Sequence, residues 1–117
     1  MIIGTLKEKK KFENRVAISP DEVKLYLKSG HQVLIEKGAG SLSGFTDKSY
    51  KEAGATITNS KEVLKTSEII IKINCPSPEE SKLINNKAMV VSQISTQNNQ
   101  ESIKILNSRK VSAFALE

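Results

Sequence analysis

The chain has 117 residues, 38% apolar and 26% charged, which gives enough material for one core and too little for two ordinary domains. No stretch approaches the roughly 18–20 apolar residues of a membrane span. The lone Cys75 excludes an internal disulfide framework and a cysteine-based zinc site, and it fits a reducing compartment.

Met1-Ile2-Ile3 runs straight into strand-like sequence, so no signal peptide is expected. Residues 2–6 read as a first strand, followed by a polar loop over residues 7–14. The formal net charge of +5 is carried by 16 lysines spread along the chain, with one local cluster in that loop at Lys7, Lys9, Lys10 and Lys11. Nucleic acid is a poor match for the cluster. Only Arg15 and Arg109 are arginines, aromatics are two tyrosines and three phenylalanines, and no reader motif is present. A solvated loop accounts for these lysines.

Residues 15–18 form a short extended piece. Ser19 as N-cap, Pro20 at the first helical position and Asp21-Glu22 in the first turn then start a helix. Val23, Leu25, Tyr26 and Leu27 give it an apolar face, and Gly30 ends it. A Val-Leu-Ile strand follows over residues 32–36. After it come the glycine loop of residues 38–44 and a short helix capped by Thr46 or Asp47, holding Tyr50 and Ala53 and ending at Gly54. Residues 55–58 read as a strand, 60–66 as a helix and 68–73 as a strongly apolar strand. A helix over 77–84, with Pro78 near its start, precedes a strand over 88–94. A helix over 98–108 leads to a last strand over 111–116. Strands alternate with helices and several are nearly uniformly apolar. The expected fold is α/β: a doubly wound, mainly parallel sheet with helices on both faces, a flavodoxin-like three-layer lobe. The sequence stops right after an apolar strand with no helix to follow, so the chain is expected to be the front piece of something longer.

Gly38-Ala39-Gly40 after a strand invites a dinucleotide reading, but the fingerprint needs a third glycine at position 43, which is Ser, and an immediate helix. A tight turn or a close backbone approach is the expected role. His31, the only histidine, reads as a turn residue and Cys75 as a structural thiol. The run Ser95-Thr96-Gln97-Asn98-Asn99-Gln100 follows a strand end, with Asn98 expected to cap the next helix. No nucleophilic triad and no metal-ligand spacing is visible, so neither catalytic nor metal residues are predicted. The candidate site residues are Arg15 and Lys72. Each lies in a segment near a strand end, where α/β proteins place ligand contacts, and two fixed cations suit an anion or a polarised carbonyl. Lys72 is expected to line a cleft and to stay out of the core.

The segments IIGTLKE, ENRVAISP, GHQVLIEKGAG, FTDKSYKEAGA and EIIIKINCP, in this order and spacing, resemble the amino-terminal part of the alanine dehydrogenase and nicotinamide nucleotide transhydrogenase alpha-subunit family. The resemblance spans essentially the whole chain. Within that family, alanine dehydrogenases carry an acid/base histidine after the strand matching residues 88–94, whereas this sequence reads VSQISTQNNQ. Reductive amination of a keto acid needs a positioned proton donor. Hydride passing between two nicotinamide rings needs only their alignment. KINCP and STQNNQESIKIL also look like the transhydrogenase branch.

The resemblance therefore implies a lobe of a proton-translocating NAD(P) transhydrogenase alpha subunit, binding NAD(H) in the full subunit, with NADP(H) on the partner component. It implies that a Rossmann nucleotide-binding domain lies beyond this chain, which would be inactive alone. It also implies a homodimer, the remaining alpha-subunit domains and a beta subunit as partners, and a cytoplasmic position peripheral to a bacterial inner membrane through the parent complex. Arg15 and Lys72 match family positions that in alanine dehydrogenases hold the substrate carboxylate and carbonyl. In the transhydrogenase branch they would line the cofactor cleft. An alanine dehydrogenase lobe, or a truncated dimerising lobe, are the alternatives.

Overall fold

The structure, a computed structural model, describes residues 1–115, so the expectation for Leu116 at the end of the last strand lies outside the described residues. Six strands form one sheet: β1 (Ile2–Thr5), β2 (Gln32–Glu36), β3 (Thr56–Thr58), β4 (Ile69–Asn74), β5 (Met89–Gln93) and β6 (Ser112–Ala115). Their order is β3-β2-β1-β4-β5-β6 and every pairing is parallel. The doubly wound lobe predicted from the sequence is present. Its order is that of the classical dinucleotide-binding sheet, with a strand outside β2, and so departs from the 2-1-3-4-5 order of a flavodoxin-like sheet.

Alternation along the strands sends apolar residues to both faces, so helices must cover both. Helices α1 (Pro20–Lys28) and α2 (Asp47–Ala53) bring Val23, Tyr50 and Ala53 onto Ile3, Val33 and Ile35. Helices α3 (Ser60–Thr66) and α5 (Gln100–Ser108) bring Val63, Leu64 and Leu106 onto Ile70 and Val90, with Ile84, just after α4 (Pro78–Leu83), in the same cluster. Gly4 in β1 lets α3 approach: a Cβ there would collide with the Ser67 side chain and lie 2.8 Å from Val63. Ser19 and Ser77 each close a capping box with Glu22 and Glu80, which sets the starts of α1 and α4.

Two local expectations need correction. Where an extended piece was expected over residues 15–18, the chain bends at 17–18 ahead of α1. Helix α5 begins at Gln100, two residues late, because Asn98 and Asn99 spend their side chains on Ser95 in a turn (Nδ2 to Oγ at 3.2 Å and to the carbonyl at 2.9 Å).

Candidate functional site

Between β1 and β4 the connections diverge to opposite sides of the sheet, and such a switch point opens a crevice at the carboxyl ends of the strands. An open cleft of about 570 Å³ lies there, bounded by the segments that follow β1, β4 and β5. Lys72, Asn74 and Gln93 reach it from strand ends, Glu8 from the loop after β1, and Ser95 and Asn99 from the turn before α5.

Strand β4 is irregular where it meets this cleft. Ile71 pairs with Val91 and Asn74 with Gln93, so β4 carries one residue more than β5 over that span, a bulge. The bulge turns the amides of Ile73 and Asn74 away from the ladder, and Glu8 receives both, at 3.0 and 3.1 Å. The same carboxylate accepts from Lys72 Nζ at 3.1 Å and from Asn74 Nδ2 at 3.4 Å. Glu8 and Lys72 are 2% and 3% exposed in their side chains. The expectation that Lys72 stays out of the core is therefore corrected. Its stem is buried, and its ammonium is admitted only because a carboxylate meets it.

Arg15 stands differently. It is exposed and does not line the cleft. It forks onto Glu13, with Nε and Nη2 at 2.8 and 2.9 Å from the two carboxylate oxygens. Glu13 also accepts from Asn74 Nδ2 at 3.0 Å. One hydrogen-bonded chain thus runs Arg15–Glu13–Asn74–Glu8–Lys72, joining both candidate cations through residues that were not singled out from the sequence. The Arg15 guanidinium is the main reason the Glu13 carboxyl is lowered to about 2, with the Asn74 amide contributing and burial opposing. Glu13 in turn raises Arg15.

On the far wall Glu80 is buried. Its Oε1 closes the α4 capping box, and its Oε2 has Lys9 Nζ at 3.7 Å and no hydrogen-bond donor among the described residues. Cys75 lies half-buried beside these groups. Burial pushes its thiol up, Lys72 pulls it down less, and Glu80 pushes it up further, which suits an inert thiol at neutral pH. His31 sits at the other end of the sheet, before β2, with its Nδ1 3.2 Å from the amino terminus. No group of three or more His, Cys, Asp or Glu among the described residues could hold a metal ion.

The glycine loop is committed elsewhere. The Gly38 amide donates to Asp47 Oδ1 at 2.9 Å, and a Cβ at Gly40 would meet the Tyr50 ring at 2.7 Å. Tyr50 is fully buried and donates to the Ile18 carbonyl at 2.7 Å. Burial, then the Glu22 and Asp47 charges, push its phenol up to about 12. A loop whose amide faces a carboxylate and whose glycine seats a tyrosine does not form a pyrophosphate cradle.

A family model described as alanine dehydrogenase/PNT, N-terminal domain, matches residues 4–117. An alanine dehydrogenase of Methanococcus maripaludis is 40% identical over the whole chain, and the NAD(P) transhydrogenase subunit alpha of Haemophilus influenzae is 38% identical, also over the whole chain. The chain spans 32% and 23% of these two relatives. Among solved structures, a transhydrogenase from Sinorhizobium meliloti superposes with a TM-score of 0.92 at 31% identity, covering 98% of this chain and 34% of that one. An L-alanine dehydrogenase superposes equally well, with a TM-score of 0.92 at 32% identity, covering 98% of this chain and 32% of that one.

Proposed function

Because the chain belongs to the alanine dehydrogenase/PNT N-terminal domain family, we propose that it is the amino-terminal lobe of a transhydrogenase alpha subunit, one wall of a cleft in which hydride passes between NAD(H) and NADP(H). The observation that carries the transhydrogenase branch is the chemistry of the cleft. Its lining offers amides, hydroxyls and compensated ion pairs, and the only histidine is at the opposite end of the sheet. Reductive amination needs a proton donor and acceptor over the substrate, whereas direct hydride transfer needs rings held face to face in a dry slot.

The bound nicotinamide would supply the hydride chemistry. The glycine loop gives the dinucleotide's phosphates no cradle, so a following Rossmann domain would carry them. Here Lys72, fixed by Glu8, and Asn74, fixed by Glu8 and Glu13, would orient the ring-bearing end, and the switch-point walls would exclude water from it. Arg15 would act at the rim, already forked onto Glu13. The remaining alpha-subunit domains, a beta subunit and a second copy of the alpha subunit would complete the assembly, and the beta subunit's side would hold NADP(H). No helix among the described residues is long and apolar enough to cross a membrane, so any attachment to the cytoplasmic side of an inner membrane would run through the parent complex.

The alanine dehydrogenase reading is kept alive by the equal strength of those matches. The complete protein, assayed in its membranes with its partner subunit, separates the two. NADH-dependent reduction of an NADP analogue is expected, and alanine-dependent reduction of NAD in its place would move the lobe to the other branch. The 117-residue chain alone is expected to catalyse neither, with NADH binding of millimolar strength or weaker by calorimetry. Micromolar binding, about 8 kcal/mol, would mean that the glycine loop holds phosphate after all.

A further inference from the structure

The loop after β1 is held at both ends and raised in the middle. Glu8 is locked to Lys72 and the bulge amides, and Glu13 to Arg15 and Asn74. Between them Lys9, Lys10, Lys11 and Phe12 are all exposed. The tip is a tight turn, closed by the Glu13 amide donating to the Lys10 carbonyl at 3.0 Å. Phe12 takes the third position of this turn at a φ of 68°. Glycine or asparagine is the usual choice there, because a side chain crowds the backbone in the left-handed region. Lys110, the other non-glycine residue with positive φ among the described residues, follows the end of α5, where that conformation closes a helix. Phe12 has no such reason. Its ring is 89% exposed, more than any other large apolar side chain among the described residues, and the Lys11 ammonium lies 5.2 Å from its centroid.

A strained backbone that displays a bare phenyl ring disfavours the free lobe twice, through conformation and through hydration. We propose that the turn at Lys10, Lys11 and Phe12 is an interaction surface: a rigid peg that seats in an acidic-rimmed apolar hollow on the lobe facing this cleft in the same polypeptide. Location and charge select that partner. Lys9 and Lys10 line the cleft, so the peg stands at its rim. The opposite wall lies in the rest of the polypeptide, since this chain spans only 32% and 23% of two relatives. Of the lysines on either side of the tip, Lys10 and Lys11 have no ion-pair partner among the described residues, which calls for carboxylates around the hollow. A second copy fits poorly, because a twofold contact would set Lys10 and Lys11 against their own counterparts. A lipid surface fits poorly too, because one ring buries too little apolar area for a stable anchor. The inference rests on the two-lobed reading proposed above, and not on which enzyme branch the parent protein follows.

The ring itself is the probe. Replacing Phe12 by 4-fluorophenylalanine reports its exposure through the change of the ¹⁹F resonance between H₂O and D₂O. The full solvent effect is expected in the 117-residue chain. Most of it is expected to be lost in the complete protein, where the facing lobe is present. A ring equally exposed in both overturns the proposal. So does burial of the ring in the 117-residue chain as it self-associates, which would assign the turn to a second copy. Burial on adding phosphatidylglycerol vesicles would assign it to a lipid surface and overturns the proposal too. Phe12→Gly reads the strain independently. It is expected to raise the unfolding temperature of the 117-residue chain by about 2–5 °C. In the complete protein the same change is expected to speed trypsin cleavage at Lys10 and Lys11 about fivefold, because the turn is no longer held. A lower unfolding temperature in the short chain, or unchanged cleavage in the complete protein, overturns the proposal. Alanine-dependent reduction of NAD by a complete protein in which the ring is buried upholds the peg and counts only against the proposed branch.

Discussion

Replacing Lys72 by alanine removes one half of a buried ion pair and leaves the Glu8 carboxylate in the wall with its two backbone donors and one amide. Loss of a partner from a buried pair costs about 3 kcal/mol, far from the neutral substitution expected of a free cleft lysine. Urea unfolding of Lys72→Ala is expected to show that loss, and an unchanged midpoint would mean that Glu8 is satisfied without it. Arg15→Ala is expected to cost less than Lys72→Ala, because its guanidinium is solvated, and to let the Glu13 carboxyl rise towards its ordinary range, which shrinks the acid-dependent part of stability.

Glu13 carries a pH signature. Its carboxyl is lowered in the fold from an ordinary 4.5 to about 2. A depressed acid contributes stability above its unfolded value and loses it as pH falls through the folded one. Stability is thus expected to drop between about pH 4.5 and 2, with a shallower fall in Glu13→Gln, read from denaturant midpoints across that range. Tyr50 works in the other direction. Its raised phenol favours the neutral form, so its contribution is complete below about pH 10 and is lost as the pH rises towards 12. Tyr50→Phe removes that alkaline limb and leaves the buried Ile18 carbonyl unpaired, a cost of about 1–3 kcal/mol at neutral pH.

At the scale of elements, the glycine loop illustrates how one segment can serve packing while imitating a motif. Gly40 seats Tyr50 and the Phe45 Cβ within 2.8 Å of where its own Cβ would stand. Gly40→Ala is expected to destabilise by about 1–3 kcal/mol through overpacking, measured by thermal or urea unfolding. Element order, most helix starts and the parallel sheet were legible in the sequence. Ser-Pro starts, terminal glycines and apolar strands are local signals, and a βαβ pattern leaves few topologies open. Position 72 was legible as a lysine lining a cleft at a strand end and illegible as a buried one. Its partner lies 64 residues away in a loop that reads as solvated lysines, and the bulge that frees two amides for Glu8 leaves no trace in composition. Glu13 and Asn74 were invisible for the same reason: their meaning arises only once β1 and β4 are neighbours.

For the whole molecule, the two sheet faces are unequally covered. On the face that carries α1 and α2, the register aligns Ile71 with Val91 and Val91 with Phe114; Ile71 packs against the helices' core cluster, whereas Val91 and Phe114 lie outside it. Phe114 is 55% exposed and Met89 36%. An apolar sheet face beside an open strand edge promotes association. The isolated chain is expected to be a dimer or larger in light scattering at micromolar concentration, and Phe114→Ser is expected to shift it towards monomer. A clean monomer that also leaves Phe114 solvent-accessible to a surface probe would remove the homodimer from the proposal.

The seam between β1 and β4 has a consequence for how the chain becomes ordered in time. Its backbone register spans only Ile3–Ile69 and Gly4–Ile70, and the Glu8 carboxylate extends it by four hydrogen bonds, reaching across 64 to 66 residues of chain. The first three strands and their two helices share one core and are contiguous in the chain, so they can collapse early. Glu8 must wait, hydrated, until β4 has been added, and only then does desolvation of its charge become favourable. The cleft is thus completed by a late, long-range event whose rate is set by loop closure, and Glu8 is a position where weakening the seam speeds unfolding far more than it slows folding.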